Sequence, residues 1–170
     1  MRDCMEHPGA PSSGRRCAMN ETDFIRRQLA LERAHLREIL LAVPQEPGVV
    51  KMARPVTAYV EWASRRLLNQ LGAHRCALQA VPAMTAATHA QLSAVSSAAT
   101  QAVEAAGAAA LNVRAKRLLA LLEAWSEPLD ELAGATLRIG HWRQAAHLSA
   151  DTILEERQLY AAARVAAGLT

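Results

Sequence analysis

Apolar and polar positions alternate with a helical period along most of this chain. Between residues 20 and 43 the core positions recur in alternating steps of four and three residues, which marks one face of an amphipathic helix. We predict that this first helix begins near Asn20 or Thr22 and ends before Pro44. The residues on its inner face are Ile25, Leu29, Glu32, Leu36, Ile39 and Val43. A glutamate therefore occupies a central core position.

Three further helical segments are predicted after the first. The second covers residues 55–80, the third residues 84–125 with a break allowed at Gly107, and the fourth residues 126–167. Another polar residue, His74, occupies a core position of the second helix, whose predicted inner face comprises Val56, Val60, Ala63, Leu67, Leu71, His74, Leu78 and Val81. The pattern predicts an all-α fold, arranged as an up-down-up-down four-helix bundle with long third and fourth helical segments.

Length and composition are consistent with one helical domain. The chain has 170 residues and is 51% hydrophobic, with only one Phe and two Tyr, which favours helix over sheet. Residues 1–18 are predicted to form a disordered N-terminal tail and residues 19–170 the single domain, and Met19 is also a natural start. Because the predicted helices differ in length, the ends of the longer ones would project with an exposed apolar stripe. We expect a second copy of the chain to cover this stripe in a homodimer.

Charge and cysteine usage exclude several other classes of function. The net charge of +3 is too small for a nucleic-acid-binding surface. The sequence contains no signal-peptide pattern and no uncharged apolar stretch of membrane-spanning length, so we expect a cytoplasmic protein without a membrane partner. Its three cysteines include no CxxC pair, which argues against a disulfide framework or a zinc site. No phosphate-binding glycine loop or GxSxG motif is present, so catalytic residues are not assigned.

The inward Glu32 carries the functional prediction, because a buried carboxylate costs several kcal/mol unless a cation, a metal or a proton meets it. Glu32 and His35 are three residues apart and share a helix face, which lets both bind one metal cluster. An inward His74 can join them, and the fourth segment offers His147 with Asp151 one turn later. We therefore predict a metal site formed by Glu32, His35, His74, His147 and Asp151.

These histidines and carboxylates give residues 20–165 a resemblance to hemerythrin-like (HHE cation-binding) proteins and to ferritin-like bundles. A His on the first helix, another on the second, and His147 followed by Asp151, Glu155 and Glu156 on the last carry the resemblance. It implies a non-haem di-iron site that binds or senses oxygen, or handles iron, with dioxygen as the small ligand. Glu155 is a further candidate ligand if the last helix rotates.

The same helical projection offers Glu32 a partner other than a metal. Arg157 falls near the centre of the apolar face of the fourth segment and Arg143 lies close to it. A bidentate Glu32–Arg157 pair would satisfy the carboxylate without iron. In that alternative the protein is a non-enzymatic interaction or structural module with buried Glu–Arg pairing.

Overall fold

Helices make up all the regular secondary structure in the described part of the chain. The computed structural model describes residues 13–43, 53–81 and 111–170, together with scattered positions between residues 86 and 101 that are also helical. The predicted all-α class is thereby confirmed. Five helices have bounds within the described residues: α1 (Ser13–Ala42), α2 (Arg54–Gln79), α3 (Leu111–Thr136), α4 (Ile139–Ala145) and α5 (Ala150–Ala166).

Apolar contacts show that α1 and α2 run antiparallel. The C-terminal half of α1 packs on the N-terminal half of α2 in the larger core cluster, which also includes the first half of α3. Ile25 and Leu29, in the middle of α1, pack with Ala73 and Ala77 near the C-terminal end of α2 in a second cluster. The fully buried Trp142 of α4 belongs to that second cluster. The two clusters therefore lie at different levels along the α1–α2 pair.

Polar pairs give the directions of the other long helices. Arg33 of α1 pairs with Asp130 of α3, and Arg37 pairs with Glu123, so α3 runs antiparallel to α1. His35 contacts Glu156 of α5 and Glu38 pairs with Arg164, so α5 runs parallel to α1. Within the described helices, α5 contacts α1 and α2 but not α3.

The sequence pattern predicts the faces of α1 and α2 well. All six predicted inner positions of α1, Glu32 included, are buried. On α2 the predicted face is buried as far as Leu78, and Pro55 lies in the first turn, where its missing N–H breaks no helical hydrogen bond. The start of α1 differs, because the helix begins at Ser13 and so includes part of the segment predicted to be a tail.

The predicted boundary at residues 126–128 is wrong. Helix α3 continues through Pro128, which is exposed on the outside of the helix. Proline removes one helical hydrogen bond, and an exposed site leaves the freed carbonyl accessible to water. The long third and fourth segments therefore do not meet at Pro128, and the helix instead ends at Thr136.

Two breaks divide the predicted fourth segment, at residues 137–138 and 146–149. A single helical phase does not continue through these breaks, which is why Arg157 is exposed although the projection puts it on the inner face. The predicted break at Gly107 lies outside the described residues. None of the described helices is both long and apolar enough to cross a membrane.

Gly134 of α3 faces residues of α1 and α4 at close range. A Cβ at this position would lie 3.0 Å from Thr22 Cγ2, 3.0 Å from Arg26 Nη2 and 3.2 Å from Trp142 Cζ3. At Gly72 in α2 a Cβ would meet nothing within 4 Å. Gly72 and Gly134 therefore differ in the space around them.

We predict opposite effects for alanine at these two glycines. Gly72→Ala should raise the free energy of unfolding by about 0.5–1 kcal/mol, because alanine favours helix without meeting a neighbour. Gly134→Ala should lower it by about 1 kcal/mol, since the methyl group overpacks the contact with Trp142. Urea unfolding followed by circular dichroism measures both values, and stabilisation by Gly134→Ala would contradict the packing described.

Candidate functional site

The centre of the candidate site is a buried ion pair between Glu32 of α1 and Arg66 of α2. Arg66 Nε donates to Glu32 Oε2 at 3.0 Å and Nη2 donates to Oε1 at 3.1 Å, so both carboxylate oxygens are engaged. The two residues are 3% and 4% exposed. This bidentate geometry is the strongest that a carboxylate and a guanidinium can adopt.

Arg66 also binds the backbone where α4 ends. Its Nη1 donates to the carbonyl oxygens of Ala146 at 2.6 Å and His147 at 3.1 Å. Both carbonyls lie in the turn between α4 and α5, where they have no helical partner. One guanidinium therefore joins α1, α2 and this turn.

Gln70 links the Glu32–Arg66 pair to a second buried ion pair. Its Nε2 lies 3.5 Å from Glu32 Oε2, and its Oε1 accepts from Arg33 Nη1 at 2.6 Å. Arg33 Nη2 donates to Asp130 Oδ2 at 2.9 Å. With His74, whose Nε2 lies 2.9 Å from Asp130 Oδ1, these residues form a continuous network across α1, α2 and α3.

The charges of this ionic network balance. Glu32 and Asp130 oppose Arg33 and Arg66, and all four residues are buried. An ionised Asp130 only accepts hydrogen bonds, so His74 donates through Nε2. Burial raises the pKa of the Glu32 carboxyl above its ordinary value, the charge and hydrogen bond of Arg66 lower it, and the charge of Glu156 raises it further.

A second polar cluster joins α1 to α5. His35 Nδ1 lies 2.5 Å from Glu156 Oε1, and its ring stacks on Tyr160 with 3.8 Å between centroids. The Tyr160 hydroxyl donates to Glu38. Glu156 is fully buried, whereas the His35 side chain is 20% exposed.

Two buried oxygens of this region have no hydrogen-bond partner, Glu156 Oε2 and the Tyr59 hydroxyl. Burial raises the pKa of Tyr59, and the charges of Glu156, Glu32 and Glu38 raise it further. Tyr59 is consequently a neutral phenol, and its ring packs on Trp62 and Tyr160 in the apolar core.

The five predicted metal ligands are divided among separate surroundings. Glu32 is held by Arg66, His35 contacts Glu156, and His74 contacts Asp130. His147 and Asp151 are exposed, at the turn before α5 and in its first turn. Glu32, His35 and His74 lie on the inward sides of their helices, as their helical spacing predicts. The five predicted ligands do not converge on one point.

A metal ion does not fit this arrangement of side chains. A divalent cation at Glu32 would lie beside the Arg66 guanidinium, and displacing that guanidinium would leave a buried charge unpaired. Among the described residues, no three His, Cys, Asp or Glu side chains are grouped so as to hold a metal.

Arg157 was predicted as the alternative partner of Glu32 and is not its partner, although a buried Glu–Arg pair is present. Arg157 is exposed on α5, because the breaks before this helix change its phase. Arg143 pairs with Glu21 at 2.9 Å, and both side chains are 39% exposed. Arg66 fills the role that the projection gave to Arg157.

Sequence reasoning missed Arg66, Gln70, Arg33 and Asp130, and it named Glu156 only within the family resemblance, not as a partner of His35. A signal for two of them exists in α2, where a second series at helical spacing is also buried, comprising Tyr59, Ala63, Arg66, Gln70, Ala73 and Ala77. This series shows that α2 is buried on two sides. The burial of Asp130 was not predicted, because the predicted helix boundary at Pro128 separated this residue from the helix to which it belongs.

We predict that the Glu32–Arg66 pair is strongly coupled. Glu32→Leu and Arg66→Met should each lower the free energy of unfolding by about 3–5 kcal/mol, because each leaves an unpaired buried charge. The double variant should lose clearly less than the sum. Arg157→Ala, the control, should change stability by less than about 0.5 kcal/mol. Chemical denaturation of the four variants and the unsubstituted protein measures the coupling energy. Additive losses in the two single variants would contradict the coupling.

Comparison of the chain with protein-family models, with curated proteins and with solved structures finds no match. The resemblance to hemerythrin-like and ferritin-like proteins therefore stays a prediction that rests on single residues.

Proposed function

We propose that this protein is a helical interaction module in which a buried ionic network fixes the helices and the outer side of α5 binds a second copy of the chain. The observation that carries the proposal is the exposure of Leu154 and Val165, at 54% and 73%. They are eleven residues apart on α5, close to three full turns, so they share one side of the helix. Exposed apolar residues at this spacing are typical of a helix that packs on another helix.

The charges of α5 favour an antiparallel pairing of two copies. Asp151 lies in its first turn and Arg164 in its last. In an antiparallel pair Leu154 of one copy packs near Val165 of the other, and the acidic turn lies near the basic turn. A two-fold symmetric contact of this kind closes on itself and gives a dimer.

The iron-binding alternative receives less support from the contacts of Glu32. A ligand carboxylate must be free to face the metal, whereas both oxygens of Glu32 accept hydrogen bonds from Arg66.

For the whole chain we propose an up-down-up-down order of α1, α2, the helical positions 86–101 and α3, with α5 as an additional helix.

We predict a weak dimer that depends on α5. Sedimentation velocity from about 1 to 200 µM should show association that grows with protein concentration. Val165→Glu should abolish it by placing a charge in the contact, whereas Val113→Glu should not, since Val113 is exposed on α3, which does not contact α5. A monomer at every concentration, or equal effects of both substitutions, would contradict the dimer.

A separate measurement distinguishes this function from iron binding. After expression with added iron, mass spectrometry should find far less than one metal per chain, and Glu32→Gln should not change the content. About two irons per chain, reduced in Glu32→Gln and His74→Ala, would instead establish the di-iron alternative.

A further inference from the structure

A cleft of about 300 Å³ lies between α2 and the turn that joins α4 to α5. This volume is at the small end of the range for ligand pockets in proteins. The cleft does not include the outer side of α5 on which the proposed dimer rests. Its walls are formed by Trp62, Arg65, Arg66, Asn69, His147, Thr152 and Glu155.

The backbone conformation of His147 is unusual for a residue with a side chain. His147 has a φ of 51°, in the left-handed region. It follows the last turn of α4, where its N–H donates to Gln144 O at 3.1 Å and the next N–H, of Leu148, donates to Arg143 O at 2.8 Å. These are the hydrogen bonds of a Schellman cap, whose left-handed position is usually glycine.

The end of α5 provides an internal comparison. There Gly168 has a φ of 76° and donates to Val165 O at 3.1 Å, and Leu169 donates to Arg164 O at 2.9 Å. The same chain thus builds one such cap with glycine and the other with histidine, which is strained there. A residue with a strained backbone at the edge of a cleft is typical of a position whose side chain takes part in binding.

Unpaired charges of opposite sign line the two walls. Arg65 and Asn69 are one turn apart on α2, and Thr152 and Glu155 are one turn apart on α5. Within the described part of the chain, neither Arg65 nor Glu155 forms an ion pair, although both line the same cleft. The cleft therefore presents a cationic wall and an anionic wall that do not neutralise each other directly.

From this arrangement we infer that the cleft binds a small zwitterion that carries a carboxylate and an ammonium group, as a free amino acid does. The carboxylate contacts Arg65, Asn69 and His147, and the ammonium group contacts Glu155 and Thr152. Guanidinium groups bind carboxylates bidentately, which orients the ligand across the cleft. The bonds from Arg66 to the carbonyls of Ala146 and His147 hold the turn in place before the ligand arrives.

Ligand-observed NMR with the free L-amino acids, followed by calorimetry on any that bind, tests the inference. At least one should bind with a dissociation constant below about 1 mM. The amine and the carboxylic acid that match this amino acid should each bind at least about tenfold more weakly. Arg65→Gln and Glu155→Gln should weaken binding to the same extent, whereas Arg157→Gln, on α5 outside the cleft, should not.

The variant His147→Gly separates a binding role from a structural one. Relief of the strained backbone should raise the melting temperature by about 2–4 °C, while loss of the imidazole weakens amino-acid binding. The inference is overturned if no amino acid binds, if the carboxylic acid alone binds as tightly, or if His147→Gly lowers stability or leaves binding unchanged. None of these results depends on whether the protein forms a dimer.

Discussion

The bidentate pair between Glu32 and Arg66 is the interaction on which the arrangement of this protein depends. It joins the middle of α1 to the middle of α2, and the remaining arm of Arg66 holds the turn between α4 and α5. Gln70 extends the contact to Arg33 and Asp130 on α3. The ionic network fixes the register of the helices, because sliding one helix by one turn along another would separate every charge from its partner. Few apolar contacts fix helix register this strictly.

Buried ion pairs contribute to specificity more than to stability. Removing charges from water is costly, and well-packed apolar residues of the same volume are often equally stable or better. The network of this protein compensates by being electrically balanced and by sharing hydrogen bonds among its members. We therefore attribute to it a role in choosing one helix arrangement, which the proposed dimer contact and the proposed ligand cleft both require.

Helical periodicity predicts a large part of the fold, but it fails where the chain changes direction. It identifies α1, α2 and the buried positions of Glu32 and His74, because a regular helix carries its phase along its length. It fails for Arg157, since two breaks precede α5 and reset that phase. It also places a boundary at Pro128, where the exposed outer side of α3 tolerates proline.

The partner of Glu32 was the hardest part of the site to predict. An arginine beside an apolar face is normally assigned to solvent, and only the second buried series of α2 shows that Arg66 points inward. The strained cap at His147 is invisible in the sequence, because it depends on backbone dihedral angles rather than on residue type. Features of this kind can be identified only in the folded structure.

Direct observation of the Arg66 guanidinium is the most decisive measurement. Proton–nitrogen NMR of the arginine side chains, assigned through Arg66→Lys, should show an Arg66 Nε–H that exchanges slowly with water and shifts in Glu32→Gln, while added ferrous iron leaves it unchanged. An Arg66 signal that exchanges as fast as that of the exposed Arg157, or one that iron perturbs together with His35, would contradict the central role of the Glu32–Arg66 pair.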